Sequence, residues 1–242
     1  MNTKKLTQAF ILAAGFGTRL KPLTDNLPKA LVKINGIAML EILIEKLIQY
    51  GIQKIVINTH HFADKIEQFI NDKKFDAEII LSYENKILDT GGGILHAKKY
   101  FDLQNNILIH NVDIISNLDL QKFYDFHLNN QAIASLFVQN RQTSRYLLFD
   151  NEHQLSGWIN KKTNEKIISR QIADYNEFAF NGIHIISPEI FDLFTQNGKF
   201  SIIPQYLEIA KKYKITAFEN KNYYWQDAGK IETIKQIEKD IF

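Results

Sequence analysis

Five short, almost wholly apolar runs constrain the fold of this chain more than any other feature. They are QAFILAA, KIVINTH, DAEIILSYE, NILIHNVDI and AIASLFVQN, and segments of helical apolar spacing stand between them. Strands that are apolar on both sides need cover on both faces. Strands separated by helices pair in parallel through right-handed crossovers. The spacing predicts helices over residues 37–50, where Gly51 ends the run, over FADKIEQFINDKK, near 94–100 and over LDLQKFYDFHLNN. After Arg141 the texture changes: YLLFD, QLSGWINK and EKIISR are short strand-like pieces that predict an inserted antiparallel ribbon. FAFNGIHIIS is then a strong strand, Pro188 opens a helix and residues 201–213 form another. ITAFEN and YYWQDAG are late strands, and the last helix begins near Ile231. No repeat, low-complexity tract or linker interrupts the pattern. The expected fold is α/β, one doubly wound mixed sheet over residues 1–242 with an antiparallel insertion in its second half.

Composition narrows the function classes. With 45% hydrophobic and 23% charged residues the chain can bury a real core. A net charge of +2 is too small to predict a nucleic-acid or anionic-membrane partner. Cysteine is absent, which excludes thiol nucleophiles, iron–sulfur clusters and disulfides and fits a cytoplasmic location. The N-terminal MNTKKLTQAFILAAG has the look of a leader, but its apolar run, 9–14, is too short for the core of a signal peptide. No other run is long enough to span a bilayer.

The chemistry concentrates where the first strand ends, in AFILAAGFGTRLKPLTDNLPKALV. GFGTRL has Leu20 where a dinucleotide fingerprint needs a third glycine, and it lacks the Gly-Lys-Ser/Thr of a P-loop. Gly15 and Gly17 still let backbone amides approach an anion closely. Arg19 offers a planar fork for phosphate oxygens, and Lys29 lies beyond a loop closed by Pro22 and Pro28. Residue chemistry alone leaves two readings, a phosphate cradle or a tight turn with solvated basic residues.

The whole string resembles the N-terminal signature of the sugar-1-phosphate nucleotidylyltransferases, L-A-A-G-x-G-T-R-L, a spacer, then P-K-x-L. The resemblance implies a Rossmann-like nucleotidyltransferase fold, with 1–140 as mainly the nucleotide half and 141–242 as mainly the sugar half. It implies that the backbone through Leu12, Ala13, Ala14, Gly15 and Gly17, with Thr18, cradles base and phosphates. It implies that Arg19 grips the pyrophosphate leaving group and Lys29 the reacting phosphates.

Further motifs extend the resemblance along nearly the whole chain. YENKILDTGGGI sets three glycines ahead of the helix predicted near 94–100, a turn suited to close approach of an anion or base. In the family an acidic or amide residue six positions before a threonine contacts the base, which implies Glu84, Thr90 and the adjoining Gly91. Asp89 replaces the usual glycine. Ionised glutamate only accepts hydrogen bonds, from uracil N3–H or the amino group of cytosine, so the motif leaves the base open. In ILIHNVDI, Asp113 follows a strand, at the edge where open α/β sheets bind ligands. The family carries N-G-D there, its aspartate binding magnesium; here Val112 replaces the glycine. Trp225-x-Asp227-x-Gly229 matches the W-x-D-x-G that supplies the second carboxylate, so Asp113 and Asp227 are the implied Mg2+ ligands. In EFAFNGIHII, Asn181 and Gly182 fall at the sugar-binding position, with Glu177 a further candidate.

The L-D/E-T-G-G-G-I variant and the chain length look like the N-acetylmuramate-1-phosphate uridylyltransferase branch, which implies UTP, N-acetylmuramate 1-phosphate and peptidoglycan recycling. The rival acceptors are phosphocholine with CTP and a hexose 1-phosphate. A non-catalytic nucleotide-sugar binder is the alternative of another class, with Val112 and Asp89 as its support. The implied partners are an NTP and a sugar phosphate, with the oligomeric state open. Adjacent strand residues point to opposite faces, so His60 and His61 are expected to cap or pack on the next helix rather than chelate. Tyr50, Phe69, Phe123 and Tyr124 are expected in the core. Lys161, Lys162 and Lys166 are expected on a solvated face of the insertion.

Overall fold

The computed structural model describes residues 5–241. In chain order the elements are β1 (Gln8–Leu12), β2 (Lys33–Ile34), β3 (Ile37–Ala38), α1 (Met39–Gln49), β4 (Lys54–Thr59), α2 (Ala63–Lys73), β5 (Glu78–Tyr83) and α3 (Asp89–Ala97). Then come β6 (Ile107–Asn111), β7 (Ile114–Ser116), α4 (Leu120–Asn130), β8 (Ala134–Gln139), β9 (Arg145–Phe149), β10 (Leu155–Asn160) and β11 (Glu165–Ile168). The chain ends with β12 (Asn176–Ile186), α5 (Ile202–Ile209), β13 (Ile215–Glu219), β14 (Trp225–Asp227) and α6 (Ile231–Ile241).

The five apolar runs become β1, β4, β5, β6 and β8. The first four pair in parallel, in the order β6-β1-β4-β5. β12 runs antiparallel between β6 and β8, and β13 is parallel to β8. The expected antiparallel ribbon is β9-β10-β11, joined to the sheet where β9 pairs with the start of β12. Period-two alternation sends Phe10 to one side of the sheet and Ala9 and Ile11 to the other, and each side has its own core. α1 and α4 cover the face of Ile11, Leu43, Leu108, Phe123 and Tyr124; α3 and α5 cover that of Phe10, Val56, Ile109 and Tyr206. No helix among the described residues is long and apolar enough to cross a membrane.

Four expectations change. Residues 33–38 form a hairpin, β2–β3, and α1 starts only at Met39. Asn35 and Gly36 both have positive φ, as a two-residue hairpin turn requires. The glycine triplet lies inside α3 rather than ahead of it. A Cβ at Gly91 would strike the Phe200 ring at 2.4 Å, one at Gly92 the Gly198 carbonyl at 2.1 Å, and one at Gly93 a Glu84 carboxylate oxygen at 2.8 Å. These glycines therefore serve close packing. Residues 188–193 form a 3-10 turn, and the helix expected over 201–213 is confined to α5. Phe123 and Tyr124 are core residues, whereas Phe69 is half-buried and Tyr50 is exposed, its hydroxyl donating to the Leu118 carbonyl at 3.1 Å.

Candidate active site

A cavity of about 240 Å3 opens at the C-terminal edge of the parallel strands. β1 delivers Leu12, Ala14 and Gly15 to it, β4 delivers Asn58, and β6 delivers Asn111 and, just beyond its end, Asp113. Glu84, Asp89 and Thr90 close one wall and Lys29 another. A Cβ at Gly15 would meet nothing within 4 Å, so that backbone faces open space. Gly17 adopts φ +64°, and a Cβ there would press on Lys29 at 2.9 Å. Its carbonyl accepts from Leu20 N–H and from the Thr24 hydroxyl, both at 2.9 Å, which sets the turn that carries Thr18 and Arg19.

The Lys29 ammonium donates to the buried Asp113 carboxylate. β14 pairs antiparallel with β7, setting Asp227 opposite Ile114, and Ala228 N–H donates to the Asp113 carbonyl at 2.8 Å. This pairing brings the two acidic residues together. Burial pushes the Asp113 carboxyl above its ordinary pKa, the Asp227 carboxylate pushes the same way, and the Lys29 ammonium pulls it down. Asp227 accepts from Gly229 N–H at 2.8 Å, and the half-exposed Arg19 guanidinium lies 3.7 Å from it. A Cβ on Gly229 would come within 2.4 Å of Arg19, so that glycine makes room for the guanidinium.

The two lysine and arginine charges only balance the two carboxylates. Polyphosphate would bring several more negative charges. Two adjoining oxygen donors held on a strand pair suit a hard divalent cation that also takes phosphate oxygens.

Sequence reasoning missed Asn58. Its Oδ1 accepts from Ala13 N–H at 2.6 Å and Ala14 N–H at 3.2 Å, and its Nδ2 donates to Glu84 Oε1 at 2.8 Å. Glu84 Oε2 accepts from Leu88 N–H at 2.8 Å. Glu84 is 1% exposed, lines the cavity and spends one hydrogen bond per oxygen on Asn58 and Leu88, so each oxygen keeps capacity for a further donor. The signal for Asn58 was a lone amide at the end of an apolar strand. His60 Nδ1 lies 2.7 Å from the Glu84 carbonyl, and the His61 ring lies against Phe62 at a 41° tilt, so the two imidazoles have separate partners.

Other candidates fall differently. Gly91 N–H donates to the Phe200 carbonyl at 2.9 Å, and Gly91 is not among the residues lining the cavity. The Thr90 hydroxyl accepts from Ile202 N–H at 2.9 Å while lining the cavity. Asp89 has φ +61°, the region glycine favours, and its side chain accepts from Thr90 N–H at 2.6 Å, so the residue keeps a glycine conformation. Val112 is buried in the core with ordinary negative φ. Neither substitution disrupts the cavity. Asn181 is fully buried with its amide unpaired, and its carbonyl accepts from Trp225 Nε1 at 2.9 Å. Gly182 has φ +75°, and a Cβ there would meet Asn111 Nδ2 at 2.6 Å. Glu177 lies 2.5 Å from Lys161, outside the cavity lining.

The chain is 26% identical to a UTP–glucose-1-phosphate uridylyltransferase of Synechocystis sp., matching 93% of this chain but 60% of that protein. It is 28% identical to an N-acetylmuramate alpha-1-phosphate uridylyltransferase of Caulobacter vibrioides, over 84% of each. Among solved structures, HddC from Yersinia pseudotuberculosis superposes with a TM-score of 0.78 at 26% identity, over 98% of this chain and 100% of that one. The nucleotidyl transferase family model matches residues 8–242, and the chain belongs to that family.

Proposed function

We propose that the protein transfers a nucleotidyl group from an NTP to a sugar 1-phosphate, giving an NDP-sugar and pyrophosphate. The observation that carries this reading is the single cavity edge holding Gly15, Lys29 and Asp113, with Arg19 and Asp227 beside it. An oxygen of the sugar phosphate attacks the α-phosphorus in line. The bond from that phosphorus to the bridging oxygen breaks, and its electrons leave with pyrophosphate. No general base is needed, because a phosphate monoester with a second pKa of about 6 is largely dianionic at neutral pH.

The chain's part is positioning and charge neutralisation. Backbone amides from Gly15 to Gly17 meet the phosphates, while Asn58 engages the Ala13 and Ala14 amides and so fixes the approach to that turn. Lys29 meets the transferred phosphate, and Arg19 offsets charge on the leaving pyrophosphate. A magnesium ion held by Asp113 and Asp227 would neutralise phosphate oxygens of both substrates. UTP and N-acetylmuramate 1-phosphate are the preferred pair, supported by the Caulobacter relative and the L-D-T-G-G-G-I sequence.

Pyrophosphate release tests the reading, with UTP, CTP, GTP, dTTP and ATP crossed against N-acetylmuramate 1-phosphate, glucose 1-phosphate, mannose 1-phosphate and phosphocholine. The fastest release is expected from UTP with the muramate ester. Turnover with another pair replaces the substrates and keeps the reaction. Silence from folded protein that binds nucleotide refutes it.

A further inference from the structure

The connection from β8 to β9 emerges at the same sheet edge as the candidate active site, and it carries Arg141. Its Nη2 donates to the Phe180 carbonyl at 3.2 Å, and its guanidinium lies 4.6 Å from the centre of the Trp225 ring. Trp225 stands two residues before Asp227 on β14. The Arg141 Nε–H is buried and has no hydrogen-bond partner. A separate cavity of about 200 Å3 lies against this arginine, lined by Arg141, Thr143, Arg145, Tyr146, Trp158 and Phe180.

Among the described residues neither Arg141 nor Arg145 has a carboxylate within ion-pair distance. No acidic side chain lines the cavity. Two guanidinium side chains, one of them half-buried, thus line a space walled by aromatic rings. A planar fork with a free N–H matches a carboxylate or phosphate, and low local dielectric strengthens such a bond.

We propose that Arg141, backed by Arg145, is a specificity-determining residue that holds a second anionic group of the acceptor, a carboxylate or phosphate carried in addition to the 1-phosphate. The proposal rests on the nucleotidyl-transfer reading of the adjacent site. It names the acceptor class as sugar phosphates with an extra negative charge.

The test is calorimetric binding of matched acceptors to the full chain with magnesium and a non-hydrolysable UTP analogue. One pair is N-acetylmuramate 1-phosphate against N-acetylglucosamine 1-phosphate, which differ by a carboxylate-bearing ether. The other is glucose 1,6-bisphosphate against glucose 1-phosphate. The wild type is expected to favour the more anionic member of at least one pair by roughly tenfold or more, and the pair that responds identifies carboxylate or phosphate. R141Q should shrink that ratio toward one, and R141K should keep part of it. R145Q, at an exposed position, should give a smaller loss and keeps the test usable if R141Q does not fold. Equal affinities in the wild type, or an equal loss for both members of a pair in R141Q, overturn the subsite. Parallel pyrophosphate assays with UTP separate the two ideas. Turnover without anionic preference removes the subsite and leaves the reaction. Anionic preference without turnover removes the reaction and leaves the subsite, and no binding of any acceptor removes both.

Discussion

Replacing Asn58 by aspartate would change one atom type and little shape. The Oδ1 that accepts from Ala13 and Ala14 remains, but the Nδ2 that donates to Glu84 Oε1 at 2.8 Å becomes an oxygen. Two acceptors then face each other where both residues are 3% exposed or less. The pair escapes this repulsion only by holding a proton between them. The folded variant therefore binds a proton that the unfolded chain releases near the ordinary carboxylate pKa. A group whose folded pKa is raised contributes stability that is present at low pH and is lost as pH rises. The deficit of N58D relative to wild type should grow by about 1.4 kcal/mol per pH unit until the pair itself titrates. Between pH 6 and 8 that amounts to roughly 1.5–3 kcal/mol, a widening of the Tm gap by roughly 3–12 °C for a chain of this size. Thermal melts of both proteins across that range measure it. A gap that stays constant with pH would refute the shared-proton reasoning, and a gap that narrows would reverse its sign.

D113N should keep the fold, since asparagine preserves shape and loses an ion pair, yet lower turnover roughly 100-fold or more; near wild-type turnover in saturating magnesium would remove Asp113 from the chemistry. R19A should lower kcat roughly 10–100-fold with little change in KM, because the charge it meets grows in the transition state; a change in KM alone would make Arg19 a uniform binder. Burial holds the His110 and His184 pKa values down to about 3 and that of His127 to about 4, with the His184–His110 proximity adding to the effect at His184. Groups with depressed folded pKa values of this kind give stability present above pH 6.5 and lost in acid, so unfolding free energy should fall by roughly 3–4 kcal/mol per pH unit between pH 6 and 5, and less steeply below that as His127 takes up its proton; urea melts showing less than one proton's worth of slope between pH 6 and 5 would contradict that.

The candidate site was legible through the resemblance of its motifs to a known family, because residue chemistry alone left the glycine turn open between a phosphate cradle and a solvated turn. Asp113 and Lys29 line one cavity, with Arg19 and Asp227 paired beside it, so the folded chain gathers the residues that the resemblance named. The strand order of the second half was not legible. β12 inserts between β6 and β8 through non-local pairing that periodicity does not encode. The glycine triplet was misread because a helix that packs backbone to backbone uses the same residues as a flexible turn. The 3-10 turn at Thr18–Leu20 and the late start of α1 show the same limit: turn chemistry at Gly17 and Asn35-Gly36 overrides apolar spacing. Asn58 and Arg141 escaped notice because a single amide or guanidinium gains meaning only from the partners that folding brings to it.

The central claim, in-line nucleotidyl transfer at the Asp113–Asp227 edge, is tested most directly by 31P NMR of UTP and N-acetylmuramate 1-phosphate incubated with magnesium and either wild-type protein or D113N. The account predicts that wild type yields pyrophosphate and a diphosphodiester in equal amounts and that D113N yields almost none. Equal product from both proteins, or UMP without any diphosphodiester, would contradict it.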